Sequence, residues 1–208
     1  MQFAGPALGD RGRAAEWVVV NEPYLPPYRT DDPLHAALAY DYIDLAFAAA
    51  RNADPSAVLI YNDTENHSSD GLTTALTRTT VRRLKAKGLV DAVGLEMHLD
   101  GDNPPAEADV AATMQSYGLP VFVTEFDIDL SNVRGTTVER FATQAQIAAS
   151  MLRAARGSGV CRSFTLWGIG DAYSWLVFAL GRAHADGTPF DGNLKPKPFF
   201  TALLDGFK

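Results

Sequence analysis

The sequence predicts an α/β fold in which short parallel strands form a sheet and helices pack outside it. Two observations point there. Five short, continuous apolar runs alternate with stretches whose apolar residues recur at helical spacing. Each run is apolar without a break, as in a strand buried on both faces, rather than alternating as in a half-exposed one. A third observation concerns chemistry: several runs end abruptly in an acid, Glu125 in Pro-Val-Phe-Val-Thr-Glu-Phe-Asp-Ile-Asp (120–129) most clearly. In parallel sheets and barrels the carboxyl ends of strands are where reactive groups gather.

Met1 to Arg13, rich in Gly, Ala and Arg without a period, reads as a loop or frayed start to a single domain spanning 1–208. Trp17–Val20 is the first strand, ending in Asn21-Glu22-Pro23, where the proline stops regular pairing. Tyr24 to Arg29 is a Pro and Tyr loop. Asp32 then caps a helix with Pro33 in its first turn and a buried face at Leu34, Leu38, Tyr42, Leu45 and Ala49.

Ala57–Tyr61 is the second strand, closing in Asn62-Asp63, and Thr64 to Asp70 is a polar loop. Leu72, Leu76, Val81 and Leu84 mark the next helix, with Gly88 as its C-terminal stop. Asp91–Leu99 is the third strand, with Glu96 and His98 alternating onto the face of Gly94. A short helix through Met114 and Tyr117 leads to the Glu125 strand. Thr136 and Glu139 form a capping box for a helix faced by Val138, Phe141, Ala145, Ala148 and Leu152 and ending near Gly157. Val160–Trp167 is the fifth strand, and Phe199, Ala202 and Leu203 mark a last helix.

Five strand–helix units make either an open doubly wound sheet or part of an eight-unit barrel, which takes about 250 residues. No Gly-x-Gly-x-x-Gly follows the first strand and there is no Walker-type loop, so nucleotide binding lacks its main residues. A net charge of -7 without blocks of like charge argues against nucleic acid or an anionic membrane as partner. No apolar run approaches the roughly 18 residues of a membrane span. Met1 to Arg13 also lacks the charged and apolar regions of an export signal. Cys161 is the single cysteine, in an apolar run, and reads as a buried structural thiol. His35, His67, His98 and His184 are scattered without metal-ligand spacing, so no metal or cofactor is expected.

Acids at strand ends are Glu22, Asp63, Glu96 and Glu125, with Asp127 just beyond. Two carboxylates facing one another can divide glycoside hydrolysis, one protonating the leaving oxygen while the other attacks the anomeric carbon or activates water. His98 and Asp127 could orient Glu125, although a histidine in such a strand is also at home as a satisfied core residue. Trp167 and Trp175 offer aromatic faces of the kind that cover sugar rings, and both would equally suit a core.

Six motifs in order, Trp-Val-Val-Val-Asn-Glu-Pro (17–23), Leu-Ile-Tyr-Asn-Asp (59–63), Gly-Leu-Glu-Met-His-Leu (94–99), Val-Thr-Glu-Phe-Asp-Ile (123–128), Leu-Trp-Gly-Ile-Gly-Asp-Ala-Tyr-Ser-Trp (166–175) and Phe-Asp-Gly-Asn-Leu-Lys-Pro-Lys-Pro (190–198), closely resemble glycoside hydrolase family 10, mainly endo-1,4-β-xylanases. The resemblance implies a (β/α)8 TIM barrel, here truncated to roughly strands 4 to 8, and cleavage of β-1,4-xylan by retaining double displacement. By position it implies Glu22 as acid/base, Glu125 as nucleophile and Asn21 on the sugar 2-hydroxyl. His98 and Asp127 match the network around the nucleophile, Trp167 and Trp175 the aromatic platform, and Asn62 and Asp63 belong to a matching motif. The implied ligand is an oligo- or polysaccharide, and the implied location is outside the cell.

Glu96 stands where the family usually has glutamine, which adds a carboxyl near Glu125, and Thr64 replaces an aromatic that follows Asn-Asp. The family's first three strands have no counterpart here, so pairing with another copy or with an N-terminal fragment is expected. Two other functions stay open: a non-catalytic remnant that binds sugar or only self-associates, and another retaining β-glycosidase. β-Glucosidase-like barrels share Asn-Glu-Pro but usually carry Thr-Glu-Asn-Gly, unlike Thr124-Glu125-Phe126-Asp127.

Overall fold

A computed structural model of the chain describes residues 12–24, 37–206 and 208. Its strands are β1 (Glu16–Asn21), β2 (Val58–Thr64), β3 (Ala92–Asp100), β4 (Val121–Asp129) and β5 (Cys161–Leu166). Its helices are α1 (Asp41–Ala53), α2 (Thr74–Ala86), α3 (Glu107–Ser116), α4 (Thr137–Ser158), the short α5 (Trp175–Phe178) and α6 (Pro198–Gly206), with a 3₁₀ turn at Asp171–Tyr173. Asp32, Pro33 and Leu34, and the loop from Leu25 to Arg29, lie outside the described residues.

The pairings within the sheet are all parallel and its strands lie in chain order, β1-β2-β3-β4-β5. A doubly wound sheet reverses its strand order at a switch point, whereas a barrel adds each strand beside the last. The unreversed order therefore makes this sheet an arc of a (β/α) barrel. Two registers slip. Val18 and Val20 face consecutive residues of β2, leaving Val19 extra, and Val123 and Glu125 face consecutive residues of β3, leaving Thr124 extra. Such bulges re-aim the side chains that follow, and both lie just before an acid of interest.

The core lies between the sheet and its helices, filled from the sheet by Leu59, Tyr61, Val93, Leu95, Val123 and Phe126 and from the helices by Phe47, Leu84, Met114 and Leu152. Helix α4 packs against α3 and α6. Its start has the expected capping box, with Thr136 accepting from the Glu139 amide and Glu139 accepting from the Thr136 amide. Helix α2 ends as expected at Gly88, whose φ of 68° lets Leu89 N–H reach Leu84 O and its own N–H reach Lys85 O.

Three helix faces differ from expectation. In α1 the buried residues are Tyr42, Ile43, Phe47 and Ala50, while Leu38, Leu45 and Ala49 are exposed. The helix restarts at Asp41 after Ala39, whose φ is 47°, so a stripe carried through from Leu38 does not hold, and the bulkier Ile43 and Phe47 take the core. In α2, Thr74, Thr77 and Thr80 accompany Val81 and Leu84 inward, and Leu72 and Leu76 point out. Helix α4 buries Ile147, Ala148, Met151 and Leu152, exposes Val138, and runs through Gly157 to stop at Gly159 with φ 69°. Cys161 is half-buried and donates to Ser163 O, and burial pushes its thiol upward. Among the described residues no helix is long and apolar enough to cross a membrane.

Candidate active site

The carboxyl ends of the strands open onto a cleft of about 610 Å³. Asn21, Glu22, Glu96, His98, Glu125, Asp127, Trp167 and Trp175 all line it. Asn21 ends β1, and Glu22 follows with φ 45°, a left-handed conformation that a non-glycine residue adopts at a cost of order 1–3 kcal/mol. Its amide donates to Asn62 O at 3.1 Å, which fastens the turn to β2. The extra residue Thr124 brings Glu125 into register with Glu96 on β3, and Asp127 falls beside His98.

Around Glu125 the hydrogen bonds form a relay. Trp175 Nε1–H donates to Asp127 Oδ2 at 2.6 Å, His98 Nδ1 meets Asp127 Oδ1 at 2.9 Å, and His98 Nε2 meets Glu125 Oε2 at 3.2 Å. Carboxylates on both ring nitrogens are best served when the imidazole carries both protons. Burial alone would lower His98, but its bonds to Asp127 and Glu125 outweigh it and raise the group to about 10. The histidine therefore acts as a cation fixed beside Glu125. Trp175 packs against it at a tilt of 53° with ring centroids 4.7 Å apart, and the more exposed Trp167 lies at 6.5 Å.

A second network stands behind Glu22. Asn62 is buried, with Nδ2 2.5 Å from Asn21 Oδ1 and 2.7 Å from Glu96 Oε1, and its Oδ1 accepts from Thr124 at 2.8 Å. Asn62 thus braces the site from beneath. Room for it comes from Gly94, where a Cβ would sit 2.0 Å from Asn62 Oδ1. Glu96 is 2% exposed, and burial, followed by the charges of Glu125 and Glu22, pushes it up to about 10.

Asp63 falls elsewhere. It alternates onto the helix side of β2, fully buried, and accepts from Tyr61 Oη at 2.8 Å and from the Thr64 amide, so it does not line the cleft. Thr64 does line it, as do Glu65 and Arg182, neither of which the sequence reading singled out. Glu65 has φ 51°, and Arg182 pairs with Asp129 from a loop more than fifty residues away, so neither carries a periodic mark. Donor atoms of Glu96, His98 and Glu125 lie within 4.8 Å of one another. Both ring nitrogens of His98 are already committed to carboxylates, so this cluster is put together as a hydrogen-bond network and not as a cation cage.

An arc of a (β/α) barrel with paired acids over a tryptophan-walled cleft is the build of a carbohydrate-active barrel enzyme. The chain belongs to glycosyl hydrolase family 10, whose family description matches residues 8–206. It is 32% identical over 197 residues to endo-1,4-beta-xylanase 5 of Pyricularia oryzae, covering 92% of this chain and 48% of that protein. It is 29% identical over 206 residues to an endo-1,4-beta-xylanase of Agaricus bisporus, covering 95% of this chain and 59% of that protein. Among solved structures, xylanase 10B from Thermotoga petrophila in complex with xylobiose superposes with a TM-score of 0.84 at 27% identity, over 96% of this chain and 61% of that one. The endo-1,4-beta-xylanase XylE of Penicillium canescens gives 0.85 at 28% identity, over 95% and 62%. The chain thus spans about half to three fifths of the length of the relatives it matches.

Proposed function

We propose that the chain carries the reacting half of an endo-acting β-1,4-xylan hydrolase that works by retaining double displacement. Glu125 attacks the anomeric carbon, and Glu22 protonates the leaving oxygen and then takes the proton of the incoming water. Asn21 bonds the sugar 2-hydroxyl, and Trp167 and Trp175 cover the sugar on the glycone side. His98 and Asp127 hold Glu125 on line. The observation that carries this reading is that Glu22 and Glu125, from two strand ends over a hundred residues apart, line one cleft, with Glu125 hydrogen-bonded to His98. Membership of the family and the xylanases it resembles supply the substrate class.

Incubation of the chain with xylohexaose, followed by NMR of the newly formed anomeric centre, tests it. Release of shorter xylo-oligosaccharides with retained configuration is expected, and Glu125→Ala should lower the rate by about three orders of magnitude or more. Unchanged turnover in that variant removes the assignment.

A second reading, a non-catalytic remnant that binds sugar or only associates with itself or a complementing fragment, is favoured by one feature. Among the described residues β1 and β5 are the outer strands of the sheet, and an unpaired edge is a template for another strand. Binding of xylohexaose by calorimetry without turnover, together with a dimer in sedimentation, would select it over hydrolysis by this chain alone.

A further inference from the structure

We propose that Arg182, fixed by Asp129 and flanked by Asp100, grips hydroxyl groups of a neutral xylosyl unit remote from the bond that is cut, and so sets affinity for longer chains. The inference deepens the hydrolase reading and rests on it for the identity of the sugar. The register of β3 on β4 gives the position. Glu96 faces Glu125, His98 faces Asp127 and Asp100 faces Asp129, and all six line the cleft. Asp129 lies at the end of β4, four residues beyond Glu125, which is about 13 Å along a strand. Arg182 on Asp129 therefore stands at the mouth of the cleft and not at the reacting carbon.

Arg182 is built into that place. Its amide donates to Leu176 O at 2.9 Å and its carbonyl accepts from the Ala185 amide at 3.1 Å. The segment that follows is seamed to the end of β4, with Leu130 N–H on Ala185 O at 2.7 Å and Ile128 N–H on Gly187 O at 3.1 Å. Nη1 of Arg182 bonds Oδ2 of the buried Asp129. A guanidinium carries five N–H donors. Among the described residues Asp129 is the one hydrogen-bond acceptor on it, and Asp100 Oδ1 stands off at 4.0 Å, so donors of an oriented cation remain for a ligand in the cleft. A side chain held in place before the sugar arrives loses less freedom on binding it.

The surrounding charges select a neutral ligand. A hydroxyl both donates and accepts, so it suits a wall that offers Arg182 N–H groups beside the Asp100 carboxylate. A uronate would meet one cation already paired with Asp129, together with the carboxylates of Asp100 and Glu65 in the same wall. Asp100 also lines a second pocket of about 490 Å³ with His67, Asn103 and Asp109, so a longer chain has room to run on past Arg182.

Calorimetric titration of the Glu125→Gln chain, in which sugar is not consumed, tests the proposal. Adding Arg182→Met should weaken binding of xylohexaose by about tenfold, the loss of hydrogen bonds from a charged donor, and leave binding of xylobiose unchanged. That change strands Asp129 without its cation, so a further variant combines Arg182→Met with Asp129→Asn. It should bind xylohexaose as weakly as Arg182→Met alone. Three outcomes overturn the proposal: unchanged xylohexaose affinity in Arg182→Met, equal weakening of xylobiose and xylohexaose, or recovery of the parent affinity in the combined variant. A xylo-oligosaccharide of the same length with a glucuronate branch should bind no tighter than the neutral one. Tighter binding that vanishes in Arg182→Met would make the ligand an acidic sugar and overturn the proposal too. Xylohexaose bound without turnover by the parent chain would remove hydrolysis by this chain and leave the role of Arg182 standing, whereas no binding at all overturns that role.

Discussion

At the scale of single residues, the site depends on small spaces and unusual angles. Gly94 is the clearest case, because a methyl group there would overlap Asn62 Oδ1. Gly94→Ala should destabilise the chain by about 1–3 kcal/mol in chemical denaturation, through an overpacked contact. Because Asn62 also bonds Asn21, Glu96 and Thr124, the same change should weaken sugar affinity measured by calorimetry. His98 gives a pH signature. Its folded value is raised from 6.5 to about 10, so its contribution to stability is complete below about 6.5 and disappears as pH climbs through about 10. The stability difference between the parent and His98→Gln should follow that curve in thermal melts taken across this range. Alternation along Gly94, Glu96 and His98 made their shared face legible in the sequence. The extra residue Thr124 and the left-handed turn at Glu22 were not, since a one-residue insertion and a positive φ leave no trace in hydrophobic period.

At the scale of elements, strands were read more accurately than helix faces. A strand buried on both sides shows itself as an unbroken apolar run, and β2, β3 and β4 begin and end within a few residues of the expected bounds. Helix faces failed where threonine does the work of an apolar residue. Thr77 and Thr80 are buried in α2, and Thr80 Oγ1 bonds the hydroxyl of Tyr24, a partner more than fifty residues away. Nothing in the local pattern distinguishes such a threonine from a solvated one. The capping box of α4 needed no distant information, because both partners lie within one turn. Thr136→Ala should cost about 1 kcal/mol by urea unfolding, and Thr136→Ser should restore most of it.

At the scale of the whole molecule, the sequence pattern left a doubly wound sheet and a barrel equally open, because both repeat strand and helix. Only spatial order separates them, and the pattern of residues along a chain does not record it. The motif likeness to a known family pointed to the barrel. The segment bearing Trp175 is tied back to the body by Lys197, which bonds both oxygens of Asp171 and the Asp186 carbonyl while almost wholly buried. Lys197→Met should destabilise by about 3 kcal/mol, the cost of leaving Asp171 buried beside a lost cation. Asp171→Asn in the same chain should recover part of that, and tryptophan fluorescence should report any loosening around Trp175.

The strand order has one more consequence. β3 is flanked on each side by two further strands, whereas among the described residues β1 and β5 each have a neighbour on one side only. In deuterated water the backbone nitrogens of β3 should keep their protons longest, with retention falling away toward both ends of the arc. The floor that carries Glu96 and His98 would then be the last part of the molecule to open.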